Sequence, residues 1–333
     1  MKGQIYFNGN DYVDDLDNLV KSAIKRLQAF EPNEGYYLAF SGGKDSCVIK
    51  ALADMAEVKY DAHYSITTVD PPELTKFVKK THPDVELVIP EINMWDLIIK
   101  KKMPPTRMVR YCCSTLKEEG GQGRTVITGV RWAESSKRKN TRSAVEMNAY
   151  GSKSKKAISE REKFYLLNDN DSKRKMMEVC TMGKGKHIIN PIIEWEDEHV
   201  WGFIKKYNIP YCILYDQGFK RLGCLGCPLQ GKKMVNDFIY APYIFKQYLI
   251  AFHKMQLKRK ENDMHCDWKD GHEVMKWWIN MSENEYQKLM TRLEKEMIEA
   301  NKPQWIKYTK LDYFNNKCSD YTRYLGSILD PRD

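Results

Sequence analysis

Apolar residues in the first two thirds of the chain come as short runs alternating with helically spaced positions. Tyr36 to Phe40 is a compact aromatic and aliphatic run that stops at Ser41-Gly42-Gly43, and Val48, Ile49, Leu52 and Met55 then recur on one helical face. This reads as strand, glycine turn, helix. The pattern repeats: Ala62 to Thr67 as a strand, Leu74, Phe77 and Val78 on a helix, Val85 to Ile89 as a strand, then Trp95, Leu97, Ile98 and Ile99 on another helix. Thr125 to Thr128 and His187 to Asn190 supply two more short strands, and Val200, Phe203, Ile204 and Tyr207 mark a helix after the second. Such alternation predicts a parallel sheet with flanking helices. From Phe238 onward the texture becomes helical, with Tyr248, Leu249, Phe252, Met255 and later Trp277, Trp278, Tyr286, Leu289 and Leu293 at helical intervals. The chain is therefore expected to divide into a helical lead-in over 1–34, an α/β domain over 35–235 and a helical region over 236–333.

Composition narrows this picture. A chain of 333 residues with 42% hydrophobic content can bury a real core. No stretch approaches the roughly 18–20 uninterrupted apolar residues of a membrane span, and the first 30 residues lack the apolar core of a secretory signal, so a soluble cytoplasmic protein with no membrane partner is expected. Nine cysteines, arranged as one vicinal pair, one CxxC and five singles, suit metal or redox chemistry better than a secreted disulfide framework. The net charge is +9, and Ser135 to Lys186 carries 14 basic against six acidic residues, nearly all of that excess. This segment, about 135–186, is rich in Ser and Asn and reads as a basic insertion, either a solvated loop or an arm that contacts nucleic acid or nucleotide.

Ser41-Gly42-Gly43-Lys44-Asp45-Ser46 lies between a buried strand and a helix, the setting in which glycines let the backbone close on an anion. Free N–H groups and the positive end of the helix then face the ligand, for which phosphate is the natural guest. The string is neither GxxxxGK[ST] nor GxGxxG.

SGGKDS after a first strand resembles the pyrophosphate loop shared by ATP pyrophosphatases and phosphoadenylyl-sulfate reductases. The resemblance extends to Thr68-Val69-Asp70-Pro71-Pro72-Glu73, similar to the acidic turn after the family's second strand, and to Gly129-Val130-Arg131-Trp132-Ala133-Glu134-Ser135, similar to its GxRxxES segment. Asn190-Pro191 through Trp195, then Ile209-Pro210-Tyr211, Tyr215-Asp216-Gln217-Gly218-Phe219 and Arg221, looks like its NPLxxW…IPxxxLYxxGF block. The resemblance implies a Rossmann-like PP-loop fold that binds ATP, adenylyl sulfate or its 3′-phosphorylated form. It implies nucleotide contacts from Ser41, Gly42, Gly43, Lys44, Asp45, Ser46, Asp70, Gly129, Arg131, Arg138 and Arg221, and catalytic roles for Lys44, Asp45 and Arg131. Arginines suit this work because guanidinium forks onto phosphate or sulfate oxygens.

Cys112-Cys113 and Cys224-Leu225-Gly226-Cys227 make four thiols in two local pairs, the number for a 4Fe–4S cluster or a four-cysteine zinc site. Spacing alone does not choose, although neighbouring side chains diverge and so suit a cubane better than a single ion. The set resembles that of adenylyl-sulfate reductases, whose CC pair and downstream CxxC hold a 4Fe–4S cluster, and the resemblance implies the same ligands here. Cys47, Cys180, Cys212 and Cys266 read as buried small hydrophobes, and the Trp277-Trp278 pair as core. His265, Cys266 and His272 do not have the spacing of a zinc finger half.

One family feature is missing: no ECG(L/I)H-type tail supplies a nucleophilic cysteine, and Cys318 has no activating neighbour in the sequence. Three readings stay open. One is an ATP pyrophosphatase and sulfurtransferase acting in nucleic-acid thiolation, such as DNA phosphorothioation, with magnesium and a sulfur donor such as a cysteine desulfurase. Another is an adenylyl-sulfate or phosphoadenylyl-sulfate reductase served by a thioredoxin-like reductant. A third is a non-catalytic nucleotide-binding subunit.

Overall fold

The computed structural model describes residues 9–118, 120–146 and 186–299. They contain a six-stranded sheet of order β3-β2-β1-β4-β6-β5. Its strands are β1 (Tyr36–Ala39), β2 (Tyr60–Ser65), β3 (Glu86–Val88), β4 (Thr125–Ile127), β5 (Val145–Glu146) and β6 (His187–Ile189). β1 runs parallel to both β2 and β4, and β4 parallel to β6. β5 is antiparallel to β6. The fold is the Rossmann-like α/β class that the sequence predicts. Successive strands leave β1 toward β2 on one side and β4 on the other, so the sheet has its switch point beside β1, where open α/β sheets bind ligands.

By internal contacts the chain forms two units. The sheet unit comprises 1–64, 77–88 and 120–222, and the helical unit 65–76, 89–119 and 223–333. This division crosses the chain several times, because residues 65–76 and 89–119 group with the C-terminal helices.

In the sheet unit, α1 (Gly9–Ala29) places Leu16, Val20, Ala23 and Leu27 on one buried stripe, the spacing of a helix face. It packs against α2 (Lys44–Met55), which starts where the glycine turn ends. Tyr36, Tyr37 and Leu38 are all buried, the mark of a strand covered on both faces. The second strand starts and ends two residues earlier than its apolar run suggests, since Thr68 adopts a positive φ of 66° and the chain has turned before it. Part of the expected insertion is regular: α6 (Ser136–Thr141) and the edge strand β5 fall inside it, and Asn190 Nδ2 donates to the Ser143 carbonyl (2.7 Å) to fasten the edge. Residues 147–185, with Cys180, lie outside the described residues. After β6 the chain forms α7 (Asp197–Lys206).

The helical unit contains α4 (Met94–Lys101), α5 (Tyr111–Leu116), α8 (Met234–Tyr240), α9 (Pro242–Glu261), α10 (Gly271–Ile279) and α11 (Glu283–Glu299). Helix α3 (Pro72–Thr81) holds the division between the units. An aromatic core of Phe238, Phe245, Tyr248, Phe252 and Trp278 fills the helical unit, with Trp95 edge-on to Tyr248 at 4.9 Å. The two tryptophans taken together as core separate: Trp278 is buried and donates to the Pro105 carbonyl (2.5 Å), whereas Trp277 is half exposed. Among the described residues no helix is long and apolar enough to cross a membrane.

Candidate functional site

The sheet unit brings the predicted loop to the carboxyl end of β1. Gly42 has φ 70°, a left-handed conformation that favours glycine, and Gly43 is the N-cap of α2. Ser46 Oγ donates to the Gly43 carbonyl (2.8 Å), and the Gly43 N–H donates weakly to Ser41 Oγ (3.4 Å). The Lys44 N–H donates to the hydroxyl of Tyr215 (2.8 Å), a residue 171 positions away. Across the switch point, a Cβ on Gly129 would stand 3.1 Å from the Asp45 Cβ, so the turn after β4 approaches α2 closely and a side chain there would crowd it.

Arg131 is 2% exposed, and each of its three nitrogens donates one hydrogen bond. Nε donates to Asp45 (2.6 Å), Nη1 to the Trp195 carbonyl (3.1 Å) and Nη2 to Asp197 (2.5 Å). The Lys44 ammonium lies 3.5 Å from Asp45 and 3.2 Å from Asp197. Two cations and two carboxylates thus close a neutral network beneath the loop. Burial would lower the Arg131 guanidinium and raise the Asp197 carboxyl, but their mutual attraction and that of Lys44 and Asp45 reverse both shifts. The fork of Arg131 positions Asp45 and the start of α7. Both Asp45 oxygens face cations, a setting that does not fit magnesium coordination.

The other two predicted arginines are more available. Arg138 pairs with Glu134. Burial lowers its guanidinium, Glu134 opposes that, and Arg221 and Arg142 lower it further, so three guanidinium groups share one neighbourhood. Arg221 is exposed and makes no hydrogen bond among the described residues. Arg138 and Arg142 are each paired with a carboxylate, Glu134 and Glu146, so the three guanidinium groups leave this neighbourhood with a net positive charge.

The helical unit brings all four predicted cysteines together. None is in a disulfide. Cys112 and Cys113 sit at the start of α5, where Cys112 shares a hydrogen bond with Cys113 and feels Cys224 and Cys227. That hydrogen bond and burial push Cys112 up, whereas the same bond and the Arg110 guanidinium hold Cys113 down. Cys224 Sγ touches Thr67 Oγ1 (3.5 Å), and the Leu225 N–H donates to the Val69 carbonyl (2.8 Å). Burial alone would lower the Lys117 ammonium, yet Cys224, Asp70 and Cys113 outweigh it and raise it. Asp70, grouped from the sequence with the nucleotide loop, belongs to this unit, where its carboxylate accepts the Thr67 N–H (2.7 Å).

The CxxC turn is built to one shape. Gly226 has φ 69°, and a Cβ there would meet the rings of Phe238 and Tyr248 at 2.8 Å. Its N–H donates to buried Asp237 (2.9 Å), which also accepts from Gln230 (2.7 Å). Lys117, Thr67 and Asp237, like Asp197 in the sheet unit, escaped sequence reading because single polar residues outside a motif carry no local signal. Among the described residues no group of three or more His, Cys, Asp or Glu side chains is placed to hold a metal. Four thiols outside any disulfide, with Arg110 beside Cys113 and Lys117 beside Cys224, are the donor number and the cationic surroundings that an iron–sulfur cluster takes.

Comparison with known proteins agrees with the fold. The family model for the phosphoadenosine phosphosulfate reductase domain matches residues 35–230. The chain belongs to this family. An uncharacterized protein of Methanocaldococcus jannaschii is 28% identical over 230 residues, which cover 66% of this chain and 48% of that protein. The chain therefore spans about half the length of that relative. The adenosine 5'-phosphosulfate reductase of Staphylococcus haemolyticus is 24% identical over 66% of this chain and 83% of the enzyme. Among solved structures, the phosphoadenylyl-sulfate reductase of Candida auris in a phosphate complex is 17% identical, with a TM-score of 0.39 over 68% of this chain and 99% of that one.

Proposed function

We propose that this protein is a cytoplasmic adenine-nucleotide-binding enzyme that transfers AMP from ATP to a nucleic-acid acceptor, releasing pyrophosphate, and then passes sulfur to the adenylated acceptor as AMP leaves. Ser41 to Ser46 would receive the nucleotide phosphates, with Gly129 giving the loop room, and Arg138 and Arg221 would neutralise the charge that develops on the leaving pyrophosphate. Arg131, Lys44, Asp45 and Asp197 would hold the loop and α2 rigid through their closed network. Cys112, Cys113, Cys224 and Cys227 would hold a 4Fe–4S cluster, which when bound supplies electron transfer or labile sulfide. Its acceptor would follow the basic segment over 135–186, most of which lies outside the described residues. A cysteine desulfurase-type donor would replenish sulfur.

One observation carries this reading over sulfate reduction. A reductase needs a thiolate to attack the sulfur of activated sulfate. Two of the three described cysteines outside the four are buried: Cys47 is pushed up to about 12 by burial, then by Asp45, and Cys212 has no exposed surface, while Cys266 is partly exposed with its Sγ against the Trp268 carbonyl (3.5 Å). Cys318 lies outside the described residues. The second reading, an adenylyl-sulfate reductase served by a thioredoxin-like reductant, draws on the likeness to the Staphylococcus haemolyticus enzyme.

The test is anaerobic purification followed by iron and sulfide analysis, then product assays. About four irons and four sulfides per chain, lost in Cys112→Ser and Cys227→Ser, together with pyrophosphate release from ATP, are expected. Sulfite release from adenylyl sulfate without ATP cleavage would establish the reductase instead. Protein free of iron would remove the cluster assignment.

A further inference from the structure

We infer that Tyr215 is a phosphate-binding residue of the glycine loop, its hydroxyl oxygen accepting the Lys44 N–H while its proton donates to a phosphate oxygen of the nucleotide. This rests on the reading of the loop as a phosphate site and adds a donor that the glycine motif does not contain.

The argument begins with donor and acceptor capacity. A phenol has one proton to give and oxygen lone pairs to accept with. The Tyr215 oxygen receives the Lys44 N–H at 2.8 Å, so its own proton must point elsewhere. No described group accepts it. The position is not accidental to the loop: a Cβ built on Gly43 would lie 3.4 Å from both the Tyr215 hydroxyl and Ser41 Oγ. Two hydroxyl groups therefore bracket the residue that opens α2, and glycine keeps the space between them clear.

The ring is held in place. Trp201 meets it edge-on at 5.2 Å and 87°, and Tyr211 stands at 6.3 Å. Trp201 and Tyr211 also contact each other at 5.3 Å, so the three rings brace one another. A fixed donor loses little freedom when an anion arrives. Burial raises the Tyr215 hydroxyl above the ordinary tyrosine range against the opposing pull of the Lys44 N–H, with Asp45 adding to the rise, so it stays protonated and able to donate at any physiological pH. An N–H directed at its oxygen polarises the phenol and strengthens the bond it gives.

The alternative is that the hydroxyl only stoppers the first amide of α2, in which case its removal would free that amide for the ligand. The two ideas predict opposite signs. Binding of inorganic pyrophosphate and of ATP to the full chain would be measured by titration calorimetry for wild type, Tyr215→Phe, Trp201→Phe and Tyr211→Phe, with thermal unfolding of each. The expected result is a loss of affinity of roughly 10- to 100-fold in Tyr215→Phe, the effect of deleting one hydrogen bond to a charged group. Trp201→Phe, which loosens the brace, should lose less, and Tyr211→Phe, whose hydroxyl serves Asp216, should match wild type. Equal or tighter binding by Tyr215→Phe would overturn the assignment. Should that variant fail to fold, unchanged affinity in Trp201→Phe would do so. If wild type binds neither pyrophosphate nor ATP, the phosphate-site reading itself falls, an outcome separate from either of these.

Discussion

The two units build their sites by different means. In the sheet unit the loop hangs from the end of a buried strand, and beneath it lies a closed set of charges, Lys44, Arg131, Asp45 and Asp197, that cancel one another. In the helical unit Cys112 and Cys113 open α5 and Cys224 and Cys227 flank a tight turn against an aromatic core, held by packing and by hydrogen bonds such as Gly226 to Asp237, with Arg110 and Lys117 beside the thiols. The first site is rigid because removing any one charge strands the others. The second is rigid because its backbone has no room to move. A charge network resists substitution by polarity, and a packed turn resists it by volume.

That contrast can be broken at Arg131. Arg131→Met leaves Asp45 and Asp197 with Lys44 as their counter-charge, and because Asp197 is largely exposed a destabilisation of about 2–3 kcal/mol is expected in urea unfolding, less than the full cost of stranding a buried charge. A loss below about 1 kcal/mol would mean that the network relaxes into water. Gly226→Ala probes the other mechanism, since a methyl group would press on Phe238 and Tyr248 in a backbone conformation that disfavours side chains. We expect about 2–4 kcal/mol and loss of bound iron, with pyrophosphate binding retained. Equal loss of both ligands would merge the two sites into one structural response.

Asp237→Ala sharpens the comparison further, for it removes the acceptor of Gly226 and Gln230 while leaving volume to spare. A cost of about 1–3 kcal/mol and a lower iron content are expected by calorimetry and metal analysis. The smallest effect is one of pH. His82, in the sheet unit, has a buried Nε2 without a partner and stands edge-on to Phe40 and Phe77. Burial, and then Lys50, lowers its imidazolium below the ordinary histidine range, against the opposing pull of Asp84 and Asp54. The folded state thus binds its proton less readily than the unfolded one. Its contribution is complete above the ordinary pKa of about 6.5 and is lost as pH falls below that value toward the folded one. Thermal unfolding should therefore weaken between pH 7 and 5, and His82→Phe should flatten that slope. It should not abolish it, because burial also lowers His187. A slope unchanged in the variant would exclude His82 as a source.

Much of this was legible before any coordinates. Short apolar runs and a glycine turn fixed the parallel order, since buried strands and helix faces leave periodic traces from Tyr36 to Leu52. Vicinal and CxxC cysteines announced themselves by local spacing. What stayed hidden was long-range: that Asp197 would meet Arg131, that Tyr215 would cap Lys44, that Lys117 would point at Cys224, and that Asp70 would join the cysteines. Each is one polar residue whose partner lies far along the chain or on another element, and pattern carries no information about such meetings. Arg131 shows the converse, for its motif was visible while its commitment to two carboxylates was not.

The interleaved division of the chain has a consequence during synthesis. Helix α4 packs on α9, yet the ribosome must add the whole intervening stretch, from Lys101 to Pro242, before that partner exists. At cellular elongation rates this takes roughly 10–30 s, during which Leu97 and Ile98 have no core to enter. A nascent chain of this protein is therefore a natural client for holding chaperones, and truncations that end before α9 should be recovered mainly as insoluble material.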